Sequence, residues 1–365
     1  MDLTPGTSCS TRVKRCARID GKTVRDPVEE REMRKLILTV IVFLAGMQVQ
    51  AAQPPSIRFL SASAARDALS EGSGRDYYAQ LQLADIRSKT GLALEGASLA
   101  AAREQARAAY AEATLEFTPD ERAALREAIE GLQPLLVERA PIYARTPWSF
   151  IKLGSAIEGG RPHTRGNTIV LSEVVMAWVL KMKAQAPLTK PSLIWNLLIH
   201  EQTHVIQRQH PELFSALYSS VFGFQHATLE ATPTWISSLR VINPDAPDVE
   251  WIFSSDQGAA TQWLLPDLLI NDRAHPQMPM GFQIVALGVK NQGDRWAYLN
   301  PSSGNPQLLY GIDAYIQRFP IHDELFHPNE IAANMLAAWI TGVRMKDPDN
   351  PMWNKMSDWA AAALK

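Results

Sequence analysis

One run near the middle of the chain, WNLLIHEQTHVIQRQ at 195–209, constrains the fold and the chemistry more than any other. Its apolar residues surround the order His-Glu-x-x-His, formed by His200, Glu201 and His204. A helix that is apolar on most of its surface is buried, and a buried histidine or glutamate must find a partner or shift its pKa. The run therefore predicts either a site built from these three side chains or a helix whose polar groups are satisfied by neighbours.

The spacing of the motif indicates a metal site if the run is a helix with Ser192 as its N-cap. Side chains four residues apart lie on one face of a helix, so His200 and His204 can bind one Zn²⁺ through their ring nitrogens. Glu201 is rotated away from that pair and can reach a water beside the metal, as the general base of a metal-dependent hydrolase does. Two histidines and a carboxylate favour zinc over other divalent ions, and we expect one zinc ion per chain.

Two segments resemble the zincin metallopeptidases. LLIHEQTHVI is similar to their active-site helix, where uncharged residues flank the motif and fill its variable positions. PHTRGNTIVLSE, at 162–173, resembles the strand that lines their cleft and pairs with an extended peptide substrate. The resemblance implies a zinc metallopeptidase that hydrolyses peptide bonds through a zinc-bound water, with Glu201 as the general base, and whose partner is a peptide or protein substrate.

A catalytic zinc usually has three protein ligands, so the motif needs a third. The metzincin pattern, which continues His-x-x-Gly-x-x-His, is absent after His204, and His210 directly precedes Pro211. Among the zincins, the sequence therefore resembles the gluzincins, in which the third ligand is a glutamate.

Two glutamates compete for this role. Glu230 lies 26 residues after His204, but Pro233 follows and predicts a helix end there. Glu330 lies near the start of a clean helical pattern, and Asn334 follows one turn later, where the carbonyl oxygen of its side chain can orient a ligand histidine. We favour Glu330 and leave Glu230 as the alternative.

The reaction also needs a donor to the developing oxyanion. The sequence favours Tyr310 for this catalytic role, in the segment PQLLYGIDAY. His163, His226 and His327 remain as alternatives, and the Pro328 that follows His327 is equally typical of a helix cap.

The predicted fold class is α+β, mostly helical, with a zincin-like catalytic domain and a small β-sheet beside the helix that carries the motif. The capping box of Thr118 and Glu121, with Pro119 between them, predicts a helix start. The stretch from 243 to about 306 is dense in Pro, Gly, Asn and Asp, which predicts loops with short helices. The other predicted elements are strands at roughly 149–156 and 168–171 and helices at about 173–184, 192–209, 211–223 and from 328 onward.

The N-terminal segment has the form of a secretory signal. Residues 33–35 are a short basic region, 36–47 are apolar and Val49-Gln50-Ala51 resembles a cleavage site. We expect translation to begin at Met33, with 1–32 as an extension before the true start. The apolar run is shorter than the roughly 20 residues of a membrane span, so no stable membrane insertion is expected after signal removal. The predicted organisation is a signal peptide at 33–51, a helical N-terminal region at 52–140, and the metallopeptidase domain at 141–365, in a periplasmic or secreted protein.

Composition narrows the functional classes. The net charge is −2 and no basic patch stands out, so a nucleic-acid partner is not expected. Both cysteines, Cys9 and Cys16, precede Met33, and a mature chain without cysteine is compatible with an oxidising compartment. Two alternatives to a peptidase stay open: a catalytically silent, peptidase-like binding protein, and a zinc hydrolase of a non-peptide amide or ester.

Overall fold

The computed structural model describes residues 54–70, 77–248, 250–257, 260–272, 281–299, 306–319, 321, 324–342 and 349–365. The predicted extension, the start at Met33, the signal peptide and both cysteines lie outside these ranges. Gln53–Lys365 form one compact unit. No helix within the described ranges has both the length and the apolar character needed to cross a membrane.

About 52% of the described residues are helical and 19% lie in strands, so the prediction of a mostly helical α+β fold is confirmed. The helices are α1 (Ala62–Ser70), α2 (Tyr77–Gln80), α3 (Leu83–Thr90), α4 (Leu99–Glu112), α5 (Pro119–Arg139), α6 (Pro141–Arg145), α7 (Glu173–Gln185), α8 (Leu193–Gln209), α9 (Pro211–Ala216), α10 (Thr234–Ser237), α11 (Asp313–Ile316), α12 (Pro328–Thr341) and α13 (Pro351–Ala363). The strands are β1 (Ile57–Phe59), β2 (Thr114–Leu115), β3 (Trp148–Leu153), β4 (His163–Arg165), β5 (Thr168–Ser172), β6 (Phe224–His226), β7 (Trp251–Gln257), β8 (Ala260–Ile270), β9 (Phe282–Asn291), β10 (Trp296–Tyr298) and β11 (Gln307–Leu308).

A five-stranded sheet lies beside the motif helix α8, as predicted. Its order is β1-β3-β5-β4, with β2 on β3; β1, β3 and β5 are parallel, whereas β4 is antiparallel to β5 and forms an edge. Alternate side chains of a strand point to opposite faces of the sheet. Phe150 therefore packs into the core that contains α8, while Ile151 packs into a second core formed by the N-terminal helices. Burial on both faces explains why β3 carries apolar side chains on each side, while the buried Lys152 is paired with Glu121 at 2.8 Å.

The helices that carry the predicted site begin as their sequences indicate. The capping box of Thr118 and Glu121 forms at the start of α5. Ser192 is the N-cap residue of α8, although its side chain makes no capping hydrogen bond. α12 begins with Pro328 at its first position, and α12 packs along α8. The predicted helix over 211–223 is in fact α9 followed by a π-helical turn, Leu217–Phe222.

The prediction of loops and short helices between 243 and 306 was wrong. β7, β8, β9 and β10 lie there and form most of a six-stranded antiparallel sheet with β6 and β11. Val285, Leu287 and Val289 alternate along β9 into a separate apolar core, which is the ordinary pattern of a half-buried strand. Pro266 and Gly288 lie inside the paired strands β8 and β9, and these residue types usually indicate turns.

Candidate metal centre

α8 and α12 bring three side chains together at one point. The Nε2 atoms of His200 and His204 are 3.1 Å apart, and each lies 3.3 Å from Oε2 of Glu330. Candidate ligand atoms of the three residues all lie within 4.8 Å of one another. The structure thus brings together the three residues that the sequence favoured as ligands.

The hydrogen bonds around His204 fix which ring nitrogen faces this point. The Gln207 amide nitrogen donates to the Asn329 carbonyl oxygen at 2.9 Å, so the Gln207 amide oxygen faces His204 Nδ1 at 2.8 Å. An amide oxygen only accepts, so Nδ1 of His204 must carry the hydrogen, and in the neutral ring the Nε2 lone pair points toward His200 and Glu330. Two imidazoles and a carboxylate arranged in this way match the donor set of a catalytic zinc, and the residues fit the ion.

The charges of the three side chains reinforce one another. Burial alone would lower the pKa of His200 and of His204, but Glu330, with Glu201 beside His200 and Asp245 beside His204, raises both pKa values to about 9. Burial would likewise raise the pKa of Glu330, yet the two histidines hold it well below its usual range. The carboxylate therefore attracts positive charge to this point, and a metal ion that binds there would displace protons from the rings.

Glu201 lies beside the three residues without joining them. Its side chain is 3% exposed, and Oε2 has no hydrogen-bond partner among the described residues. Burial, reinforced by the charge of Asp245, raises the pKa of Glu201 well above its usual value. A buried carboxylate with a raised pKa is a better proton acceptor, which suits a general base.

Hydrogen bonds also orient the carboxylate of Glu330. Asn243 donates from Nδ2 to Oε1 of Glu330 at 2.5 Å, which leaves Oε2 toward the histidines. The orienting role predicted for Asn334 falls instead to Gln207, three residues after His204 on the same helix. Asn334 lines the neighbouring cleft, but its Nδ2 has no hydrogen-bond partner among the described residues.

A cleft of about 400 Å³ opens onto the candidate metal centre. Glu158 and Glu324, the two non-glycine residues with positive φ in the described ranges, both line it. This backbone conformation costs a non-glycine residue roughly 1–2 kcal/mol, and such strain concentrates at functional sites. The charged residues of the cleft wall are Lys89, Glu158, Arg161, Glu201, Asp245, Glu324 and Glu330.

The edge strand β4 lines the cleft as the resemblance implied, but its outer edge is already bonded. The Thr164 amide donates to Oδ1 of Asp245 at 2.8 Å, and the Thr164 hydroxyl contacts the same oxygen. Arg208 holds the loop that contains Asp245 in place by donating to the Pro244 carbonyl at 2.8 Å. The expectation that β4 pairs with an extended peptide is therefore wrong at Thr164, because a side chain from a distant loop occupies the donor that such a peptide would use.

The other sequence candidates lie elsewhere. Glu230 is exposed, and its amide donates to the Trp296 carbonyl, away from the cluster of ligand atoms. Tyr310 is 48% exposed in the turn after β11 and is not among the described residues that line the cleft, so this position does not support the catalytic role predicted for it. His226 is exposed and lies 3.1 Å from Glu250.

Two histidines among the oxyanion candidates have defined roles. His327 caps α12, because its Nδ1 accepts from the Asn329 amide at 3.1 Å, so the helix-cap interpretation is confirmed. His163 is 4% exposed and lines the cleft. Its Nδ1 donates to the Arg161 carbonyl at 3.2 Å, so the neutral ring offers only an acceptor at Nε2. Burial lowers the pKa of His163, which disfavours the protonated form that an oxyanion donor requires.

A buried ion pair in the wall of the cleft had no signal in the sequence. Lys89 Nζ lies 3.0 Å from Oε2 of Glu158 and donates to the Ile242 carbonyl at 2.6 Å. The Tyr77 hydroxyl donates to Glu158 at 2.8 Å, and the Tyr110 hydroxyl bonds the same carboxylate. These residues are far apart in the chain, so no local spacing could have predicted the pair.

Comparison of the chain with protein-family models, with curated proteins and with solved structures found no match.

Proposed function

We propose that the protein is an exported zinc-dependent hydrolase of the zincin type that cleaves peptide bonds. His200, His204 and Glu330 would hold one Zn²⁺, and Glu201 would be the general base. The observation that supports this best is the meeting of Glu330, far along the chain, with both histidines of the motif. A helix whose polar groups were only satisfied by neighbours would not leave Oε2 of Glu201 without a partner beside three clustered ligands.

The chain's own residues supply the proton transfers. A zinc ion held there would act as a Lewis acid, making water a better nucleophile at neutral pH and polarising an amide carbonyl. Glu201 takes a proton from the attacking water as the water oxygen bonds to the carbonyl carbon. The carbon–nitrogen bond then breaks, and the protonated Glu201 returns the proton to the leaving nitrogen. The raised pKa of Glu201 suits both transfers.

A zinc hydrolase of a non-peptide amide or ester is the second candidate. The observation that favours it is the occupied edge of β4, since a small substrate needs no strand pairing. A silent binding protein is disfavoured because Glu201 is intact, and its loss would be the simplest way to silence such a site.

The variant Glu201→Gln tests a hydrolase against a silent binding protein, because it keeps the shape of the side chain and removes the base. We expect zinc content to stay the same while hydrolysis of short peptides falls by about 10²- to 10⁴-fold. Glu230→Gln, at an exposed glutamate outside the cleft, is the matched control. Unchanged hydrolysis in Glu201→Gln would refute the assignment of the base. A wild-type chain that binds zinc but cleaves only an aryl ester would favour the second candidate.

A further inference from the structure

The closed edge of β4 raises the question of what holds a substrate in this cleft. The segment that closes it, residues 241–245, is called the strap here. Asp85 accepts the Ile242 amide at 3.2 Å, and Lys89 donates to the Ile242 carbonyl. At the other end, Asp245 bonds Thr164. Buried charged groups therefore anchor the strap at both ends, and the strap forms one wall of the cleft.

Most carboxylates of the cleft wall already have a strong partner or a role. Glu158 pairs with Lys89 at 3.0 Å, and Asp245 bonds Thr164. Glu330 completes the metal centre, and Glu201 is the proposed base. The remaining carboxylate is that of Glu324.

Among the described residues, Glu324 has only weak partners. Its carboxylate lies 4.0 Å from Arg161 Nη1 and 3.9 Å from His200 Nε2, both at the outer limit of an ion pair. It forms no hydrogen bond with the described residues, and its side chain is 35% exposed. A cation that enters the cleft can therefore approach Glu324 more closely than Arg161 does.

We propose that Glu324 binds the free α-ammonium group of the substrate, so that the site removes single residues from the amino terminus of short peptides. This inference rests on the proposed function. Glu324 stands beside the ligand His200, and in an amino-terminal residue only two bonds separate the ammonium nitrogen from the carbonyl carbon under attack. Because Asp245 of the strap already occupies the Thr164 amide, an extended substrate would gain no pairing with β4 at that position. Apolar wall residues favour an apolar first side chain; they include Leu197, Leu268 and Phe326.

The reaction balances without a further reactant. The bond between the first carbonyl carbon and the second residue's nitrogen breaks, and a bond from water oxygen to that carbon forms. Glu201 carries the proton from the water to the leaving nitrogen. The products are a free amino acid and a peptide one residue shorter.

Two matched probes test this on the zinc-loaded chain: L-leucyl-7-amido-4-methylcoumarin and its N-acetylated form. Loss of a charge-assisted hydrogen bond weakens binding by about 10- to 100-fold. We therefore expect kcat/KM for the free-amine probe to exceed that for the acetylated probe by about 10-fold or more. Glu324→Gln should raise KM for the free-amine probe by about 10- to 100-fold, with a smaller change in kcat and unchanged zinc. Glu230→Gln should behave as wild type.

A binding measurement provides a readout without turnover. Calorimetry with L-leucinamide should show about 10-fold or more weaker binding to Glu201→Gln/Glu324→Gln than to Glu201→Gln, while N-acetyl-leucinamide should bind both equally. Equal cleavage of the two coumarin probes, or faster cleavage of a quenched peptide with both ends blocked, would overturn the inference and leave the hydrolase standing. Loss of zinc in Glu324→Gln would also overturn it, because Glu324 would then be a ligand. A wild-type chain with neither zinc nor hydrolysis would refute the proposed function itself.

Discussion

Two groups of charged residues each place side chains in the wall of one cleft, and they obtain their counter-charges differently. The lysine cluster consists of Lys89, Glu158 and Asp85. Its cation is a side chain of the protein, at 3.0 Å from Glu158 and 3.7 Å from Asp85. Two tyrosine hydroxyls complete the bonding of Glu158.

The histidine cluster consists of His200, His204, Glu330 and Glu201. No lysine or arginine of the described chain forms an ion pair with its two carboxylates, and one oxygen of Glu201 has no partner there. Burying a charge is costly unless a partner compensates it. The lysine cluster contains its own cation and therefore stabilises the fold. The histidine cluster contains no lysine or arginine, so its positive charge must come from protons on the histidines or from a bound metal ion.

Removing the cation of the lysine cluster should produce the largest effect on stability. Lys89→Met leaves two carboxylates buried without their counter-charge, and breaking a buried pair in this way costs about 3–5 kcal/mol of unfolding free energy. Denaturant unfolding measures it. The matched control is Lys183→Met, since Lys183 pairs with Glu127 at the half-exposed surface and should lose no more than about 1 kcal/mol. Equal losses in the two variants would show that the lysine cluster does not hold the fold.

Asp85 should give the lysine cluster a distinctive pH dependence. Burial raises the pKa of Asp85 from 3.8 to about 7, against the opposing effect of Lys89. A carboxyl group with a raised pKa stabilises the fold fully below pH 3.8 and loses that contribution as the pH rises through about 7. Asp85→Asn keeps an acceptor for the Ile242 amide but cannot titrate. Its unfolding free energy relative to wild type should therefore rise by roughly 3 kcal/mol as the pH increases from 5 to 8.

Unfolding curves of the two chains at pH 5 and pH 8 check this expectation. Asp120→Asn, at an exposed aspartate in the first turn of α5, serves as the control and should run parallel to wild type. A constant difference between Asp85→Asn and wild type across this range would contradict the account.

Loosening the histidine cluster should change zinc affinity rather than the fold. Gln207→Leu removes the acceptor that fixes His204, and loss of such an orienting partner costs about 10- to 100-fold in metal affinity. Competition with a chelator measures the dissociation constant. Gln209→Leu, at the exposed end of the same helix, should bind zinc as wild type does. Equal zinc affinity in the two variants would show that Gln207 does not orient His204 for metal binding.

The sequence predicted what depends on local pattern. The motif helix was expected over 192–209 and spans Leu193–Gln209, and Glu330 was expected near the start of a helix and lies in its first turn. Helical spacing and caps act within a few residues, so they can be read from one segment. The choice of Glu330 over Glu230 also followed from such local signals.

What depends on distant parts of the chain could not be predicted in this way. Lys89 meets Glu158 and Asp245 meets Thr164 only because the tertiary fold brings them together. The second sheet was missed because pairing between strands overrides the turn preference of Pro266 and Gly288. The closed edge of β4 changes the expected mode of substrate binding, and its signal lies in a loop about 80 residues after the strand.

The most direct test of the central claim is the zinc content of purified 53–365, measured by elemental analysis for wild type, Glu330→Ala and Glu230→Ala. We expect about one zinc ion per chain in wild type and in Glu230→Ala, with loss or marked weakening of zinc binding in Glu330→Ala. Circular dichroism should show that all three chains are folded. A wild-type chain that takes up no zinc when zinc is supplied would contradict the account, and so would zinc that persists in Glu330→Ala and is lost in Glu230→Ala.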